Sequence, residues 1–235
     1  MAISRFGLEL ACAAMARSPL FHGIDDEEQT RIALSMTRRR FRRDEVVFHD
    51  GDPGDSLHVV VEGRVKITRQ STDGEEAIVA ILSPGDSFGE LVLLDGAPRS
   101  ATATAIEATE TLTMSRSMFA ELVDGASPFR WRVLVGVAQR VRRLTDQLAE
   151  VHFLDLAGRL ALQLTRMAEE SAPGQTTDIE LSRSLTQSDL AAMVGGTRQR
   201  VNQILGDFTE QGLIRHAGGR ITVLELERLR DRASW

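Results

Sequence analysis

Apolar residues recur along this chain with two different periods. Between Leu57 and Ala105 they come in short runs of β-branched and small residues: Leu57 to Val61, Val65 to Arg69, Ala77 to Leu82 and Ala101 to Ala105. Turn signals punctuate them at Gly51-Asp52-Pro53-Gly54-Asp55, Glu62-Gly63, Asp73-Gly74, Ser83-Pro84-Gly85-Asp86 and Asp95-Gly96. Short strands spaced roughly ten residues apart predict a small antiparallel barrel or sandwich. A helical region, Asp25 to Met36, precedes them, and the Ala-rich residues up to Arg17 read as a weak helix or a loosely docked arm.

After Pro128 the period changes from two to seven. Leu134, Val137, Val141, Leu144, Leu148 and Val151 fall at successive a and d positions, flanked by Arg140, Arg142, Arg143, Asp146 and Glu150. So narrow a stripe predicts a dimer seam rather than a helix packed on its own domain. The seam is short for a coiled coil, so other parts of the protein must help hold the dimer. Phe153-Leu154-Asp155 breaks the register, a candidate hinge, and Leu156, Leu160, Leu164 and Met167 begin a second amphipathic helix. Ala172 to Thr177 is a loop by composition and leads into a short strand, Ile179-Glu180-Leu181.

From Leu185 to Ile214 two helices and a tight turn are legible. Thr186 and Asp189 make a capping box, Gly195-Gly196 ends the first helix, and Thr197 caps the second. Val201, Ile204, Leu205 and Phe208 form that helix's apolar stripe, while Arg198, Gln199, Asn202 and Gln203 project from the opposite face. Such donor-rich side chains are what reading a DNA major groove requires. Gly212-Leu213-Ile214 and Gly218 to Val223 add a hairpin of the winged type.

At 235 residues the chain is long enough for two domains. It has no apolar stretch near the ~18 residues that cross a bilayer and no leader pattern, which predicts a soluble, cytoplasmic protein. Cys12 is the single cysteine, so no intrachain disulfide or all-cysteine cluster forms. His22, His49, His58, His152 and His216 show no ligand spacing, and each reads as a surface or turn residue. The net charge of −6 argues globally against nucleic acid, but a local arginine-rich face decides that question. Paired carboxylates, nucleophile–base sets and metal clusters are missing from the pattern, so an enzyme is not expected.

One segment carries denser chemistry. Phe88 to Ala101 sets a glycine, a carboxylate, a helical turn, an arginine and a serine side by side. Gly89 permits close backbone approach, Glu90 accepts from ribose hydroxyls, and Arg99 forks onto phosphate with Ser100 as a further donor. The simpler alternative is a β-turn in which Glu90 and Arg99 form a surface ion pair.

The segment resembles the phosphate-binding cassette of cyclic-nucleotide-binding domains, a helical turn followed by Pro-Arg-Ser/Thr-Ala. The cassette, heptad helix, Phe-Leu-Asp hinge and winged helix-turn-helix, in that order, resemble the cyclic-AMP receptor protein and FNR family of bacterial transcription regulators over nearly all of the chain beyond Arg17. The resemblance implies an α+β fold: an N-terminal arm (1–17), a jelly-roll β-barrel (18–127), a dimerisation helix (128–152) and a winged helix-turn-helix domain (153–235).

It also implies residue roles. Glu90 would hold the ribose 2′-hydroxyl, Arg99 and Ser100 the cyclic phosphate, Gly89 and Leu91 would contribute backbone contacts, and Arg140 would pair with the cassette carboxylate. The family's two adenine-contacting positions fall on Leu144 and Thr145, so one hydroxyl is replaced by an apolar side chain. Cyclic AMP is the expected effector, with cyclic GMP or ligand-independent activity as alternatives. Arg198 matches the family's guanine-reading arginine, whereas Gln199 and Gln203 depart from the usual glutamate and arginine. Glutamine favours the adenine edge, which implies a half-site altered from TGTGA. Thr197 and Arg200 are phosphate-contact candidates. The partners implied are a double-stranded DNA operator, a second copy of the chain, and RNA polymerase through the loop Ala172 to Thr177. A ligand-binding subunit without DNA binding is the alternative from another class.

Overall fold

The structure, a computed structural model, describes residues 5–125, 127–181 and 186–233. Residues 1–4 of the expected arm, Leu185 and residues 234–235 lie outside them. The chain divides into two compact units, residues 1–74 with 79–142, and residues 75–78 with 143–235.

In the first unit α1 (Arg5–Arg17) and α2 (Asp26–Ser35) precede the strands. The Asp25 carboxylate caps α2 by accepting from the Glu28 N–H at 2.8 Å, and acidic residues fill its first turn, where the helix dipole favours them. Ala11, Ala14 and Met15 of α1 are fully buried, so the N-terminal segment is not a loosely docked arm. Its small residues let it lie close against its neighbours, a packing that low amphipathicity conceals in the sequence.

Two four-stranded antiparallel sheets follow. Strands β1 (Thr37–Phe41), β3 (Ser56–Glu62), β6 (Ser87–Phe88) and β8 (Thr109–Ser115) form one, in the order β1-β8-β3-β6. Strands β2 (Val46–Phe48), β4 (Val65–Gln70), β5 (Glu76–Leu82) and β7 (Thr102–Ala105) form the other, in the order β2-β7-β4-β5. This is the expected jelly roll, with sheets that do not close into a continuous barrel. Leu57, Val59 and Val61 of β3 join Leu112 and Met114 in a core shared with α1, α2, Phe119 and Phe129. Val60 joins a separate core with Val65, Ile67, Leu82, Phe88 and Ala103. Alternation along β3 therefore feeds two cores, which is why the strand reads as an apolar run interrupted only by His58.

The cassette turn α3 (Leu91–Asp95) sits between β6 and β7, and α4 (Arg116–Gly125) leads to the long helix α5 (Ser127–Phe153). Phe129 and Val133 anchor the start of α5 in the core, while Leu134, Val141, Leu144, Leu148 and Val151 are exposed. No helix among the described residues is long and apolar enough to cross a membrane.

The second unit is built around α6 (Leu156–Ser171), β9 (Ile179–Glu180), α7 (Gln187–Val194), α8 (Arg198–Glu210), the hairpin β10 (Ile214–Ala217) and β11 (Arg220–Val223), and α9 (Leu226–Arg232). The Asp155 carboxylate caps α6 by accepting from the Gly158 N–H at 2.7 Å, and that bond holds its pKa below the usual carboxylate range. Thr186 and Asp189 form the expected capping box on α7, and Gly195 ends it in the left-handed region. Gly218 and Gly219, both with positive φ, make the two-residue turn of the wing. Leu160, Leu164, Val201, Leu205, Phe208 and Ile214 share the core.

Candidate functional site

Strand β6 delivers the cassette. Phe88 pairs with His58 of β3, and Gly89 follows with φ +78°, where a Cβ would come 2.5 Å from Arg99 Nη1. Glu90 then opens the five-residue turn α3, which Gly96 ends in the left-handed region. Arg116 tightens this turn from α4: its Nη2 donates to the carbonyls of Val92 at 2.9 Å and Gly54 at 3.2 Å.

Arg99 is only 6 % exposed and is gripped through backbone and side chain alike. Its N–H donates to the Asp52 carbonyl and its own carbonyl accepts from the Gly51 N–H, each at 2.8 Å. The guanidinium donates through Nη1 to the Gly89 carbonyl at 2.7 Å and through Nη2 to Ser56 Oγ at 3.4 Å. Burial lowers its pKa, and the nearby carboxylates of Asp55, Glu90 and Asp52 oppose that shift.

Glu90 does not form a surface ion pair with Arg99. One of its oxygens accepts from Arg140 Nη1 of α5. Its other oxygen, Oε2, and Arg99 Nε are buried without a hydrogen-bond partner. Each such orphan costs about 1–3 kcal/mol. An acceptor and a cationic donor left vacant within one cassette suit a hydroxyl and an anionic oxygen of the same ligand.

The other expected residues lie as follows. Leu91 is half-buried at the start of α3, and Ser100 is exposed, its carbonyl accepting from Arg69 Nη1 at 2.8 Å. Leu144 and Thr145 are exposed on α5 about one turn beyond Arg140. They belong to the second compact unit, whereas Gly89, Glu90, Arg99 and Arg140 come together in the first.

Phe48, Gly54, Ser56 and His58 were not singled out as site residues by the sequence. Phe48 lies under Arg99, its ring centroid 4.1 Å from Cζ. A Cβ on Gly54 would come 2.5 Å from Arg99 Nε, so that glycine is required by the arginine and not only by the turn. His58 is 2 % exposed, which overturns its reading as a surface or turn residue. Its ring stacks on Phe88 at 5.0 Å, and Nδ1 lies 3.3 Å and 3.2 Å from the hydroxyls of Thr111 and Thr113. Burial, followed by the positive charges of Arg99 and Arg39, pushes its pKa down to about 3. A lone histidine inside an apolar run was the available signal, because alternation sends position 58 inward with Val60.

In the second unit Thr197 caps α8 by accepting from the Arg200 N–H at 3.2 Å. Val201, Ile204, Leu205 and Phe208 are buried, and Arg198, Gln199, Arg200, Asn202 and Gln203 are exposed. Gln203 Oε1 accepts from Arg200 Nη1 at 2.7 Å, which engages one of the two lone pairs of that oxygen. Below the turn, Arg159 Nε donates to the Val194 carbonyl and Nη1 to the Leu154 carbonyl, each at 2.9 Å, tying the end of α7 to the break between α5 and α6.

Comparison with known proteins agrees with both halves. Residues 38–125 match the cyclic nucleotide-binding domain, and residues 158–232 match the Crp-like helix-turn-helix domain. The chain is 33 % identical over 219 residues to the CRP-like cAMP-activated global transcriptional regulator of Mycobacterium tuberculosis, covering 93 % of this chain and 98 % of that one. It is 32 % identical over 218 residues to the cyclic AMP receptor protein of Thermus thermophilus, covering 92 % and 97 %. Among solved structures, FixK2 from Bradyrhizobium japonicum shares the fold with a TM-score of 0.76 at 23 % identity, covering 86 % of this chain and 99 % of that one. The Thermus thermophilus catabolite activator protein matches with a TM-score of 0.54 at 30 % identity, covering 92 % and 98 %.

Proposed function

Because the chain belongs to the CRP/FNR family of bacterial transcription regulators, we propose that it acts as a cytoplasmic homodimer whose DNA affinity is set by cyclic AMP. The observation that carries the effector reading is the pair of vacant buried atoms, Glu90 Oε2 and Arg99 Nε. Glu90 Oε2 accepts from the ribose 2′-hydroxyl, Arg99 and Ser100 bind the cyclic phosphate, and the backbone of Gly89 and Leu91 closes around the sugar. Leu144 packs on the base, and the partner subunit's Thr145 hydrogen-bonds to it.

The exposed stripe Leu134, Val141, Leu144, Leu148 and Val151 supports pairing of two α5 helices, since more than half of each residue's surface is still open to water and burying that apolar area is favourable. The two α8 helices then enter successive major grooves about 34 Å apart. Arg198 forks onto guanine, Gln199, Asn202 and Gln203 read neighbouring base edges, and Thr197 and Arg200 hold phosphates. The loop Ala172 to Thr177 is the surface assigned to RNA polymerase.

Calorimetric titration with cyclic AMP and cyclic GMP, run beside operator affinity at each ligand concentration, tests this function. Cyclic AMP is expected to bind and to raise operator affinity. Operator affinity that stays constant across both titrations overturns the effector reading. Cyclic GMP is the second reading, because Leu144 can only pack and selects neither purine edge, and preferential coupling to cyclic GMP would establish it.

A further inference from the structure

Arginine is a flexible residue, and a phosphate site gains affinity when its guanidinium is fixed before the anion arrives. The Arg99 guanidinium has two polar tethers, to the Gly89 carbonyl and Ser56 Oγ, and the second is long at 3.4 Å. What lies against its face is the ring of Phe48, 4.1 Å from Cζ. That distance is well inside the range in which the negative face of an aromatic ring attracts a cation, and the attraction strengthens when water is excluded.

Phe48 is itself held in place. It is the last residue of β2, just after a register shift between Val46 and Phe48, and bulges of this kind re-aim a side chain. Its ring packs 5.8 Å from Phe88 and 6.0 Å from His58, and those two stack on each other. Phe88 immediately precedes Gly89, so this three-ring shelf braces both the arginine and the strand that delivers the cassette. His58 is the shelf's titratable member. A charged imidazolium there would repel the guanidinium, and burial keeps the ring neutral at physiological pH.

We propose that Phe48 is a positioning residue for the effector's phosphate: its ring, braced by Phe88 and His58, fixes the Arg99 guanidinium in the orientation in which it meets the anion. The proposal rests on the cyclic-nucleotide reading for its ligand, a nucleoside cyclic monophosphate monoanion.

The test uses the full chain and the variants Phe48→Leu and Phe48→Tyr. Leucine keeps the position apolar but removes the π face, and tyrosine restores it. Phe48→Leu is expected to weaken cyclic AMP binding roughly five- to tenfold, while binding of adenosine, which keeps base and ribose but carries no phosphate, changes less than about twofold. Phe48→Tyr is expected to bind cyclic AMP as the parent does. An unchanged cyclic AMP affinity in Phe48→Leu, or an equal loss for both ligands, overturns the proposal, the second outcome leaving Phe48 a packing residue. A ligand-free arm separates this from the effector reading. The Arg99 Nε–H resonance should be ring-current shifted and slow to exchange in the parent and in Phe48→Tyr, but shifted back and fast-exchanging in Phe48→Leu. A parent that binds no cyclic nucleotide refutes the effector reading, while an Arg99 resonance indifferent to Phe48→Leu refutes the positioning role.

Discussion

Lowering the pH from 7 to 4.5 is expected to remove about 3 kcal/mol of folding free energy at one side chain, His58. Its imidazole titrates near 6.5 in an unfolded chain and at about 3 in the fold. With the folded value depressed, the unfolded chain takes up the proton first. The stability associated with a neutral His58 is therefore intact above pH 6.5 or so and falls as pH drops toward 3. At pH 4.5 the unfolded imidazole is about a hundredfold more protonated than neutral while the folded one is still neutral, and RT ln 100 is about 3 kcal/mol. Other groups of the chain also take up protons as the pH falls, so the measurement has to be differential. Urea unfolding of the parent and of His58→Phe, followed by Trp131 fluorescence in a Trp235→Phe background, reports on the first unit. Phenylalanine retains the stack on Phe88 and carries no proton. Loss of the Thr111 and Thr113 contacts adds an offset that does not vary with pH. The stability gap between the two proteins should shift by about 3 kcal/mol in favour of His58→Phe between pH 7 and 4.5. Parallel pH profiles would refute the claim that this histidine is kept neutral by its surroundings.

Gly54→Ala places a methyl where Arg99 Nε now lies 2.5 Å from an ideal Cβ, so the guanidinium must move; cyclic AMP affinity by calorimetry should fall about tenfold or more, with a small change in thermal midpoint. Leu148→Asp introduces a charge into the proposed seam at a side chain 72 % exposed in the single chain, and sedimentation should show monomers with unchanged far-ultraviolet circular dichroism. Arg200→Ala frees the lone pair of Gln203 Oε1 that now accepts from Arg200, so a panel of operators varied at the base facing Gln203, measured at one salt concentration, should bind more weakly overall and discriminate more strongly in favour of adenine.

The helix-turn-helix was legible because its signals are local. Thr186 with Asp189, Gly195, and Thr197 each act within a few residues, and the apolar stripe of α8 needs only one helix to define it. The first unit was less transparent where tertiary pairing decides. Strand β1 is hidden in the sequence because arginines cover its alternation; only Phe41 is buried, and Arg38 and Arg40 share Glu110 across the sheet. Strand β8 and α4 likewise had no strong punctuation to mark them. Glu90, Arg99 and Ser100 stood out through their spacing. Ser56, which holds Arg99 from 43 residues upstream, could be found only from the packing of the two sheets. The same holds for Phe48 and for the inward face of β3 that buries His58.

The two polar ends of the cassette are anchored to different parts of the fold, and that difference bears on how a ligand could act. Arg99 is bound by the segment from Phe48 to Ser56 and by the Gly89 carbonyl beside Glu90, all within the jelly roll. Glu90 is bound by Arg140 and so reaches α5. A ligand shifts a conformational equilibrium only through a difference in its affinity for the two states. On the proposed reading, contacts at the arginine end do not involve α5, whereas contacts that depend on the Glu90 carboxylate involve it through Arg140. On the proposed reading, then, the phosphate supplies affinity and the ribose hydroxyl, through Glu90, supplies coupling. A 2′-deoxy cyclic nucleotide, which keeps the phosphate and lacks that hydroxyl, should accordingly lose more in its effect on operator affinity than in its own binding.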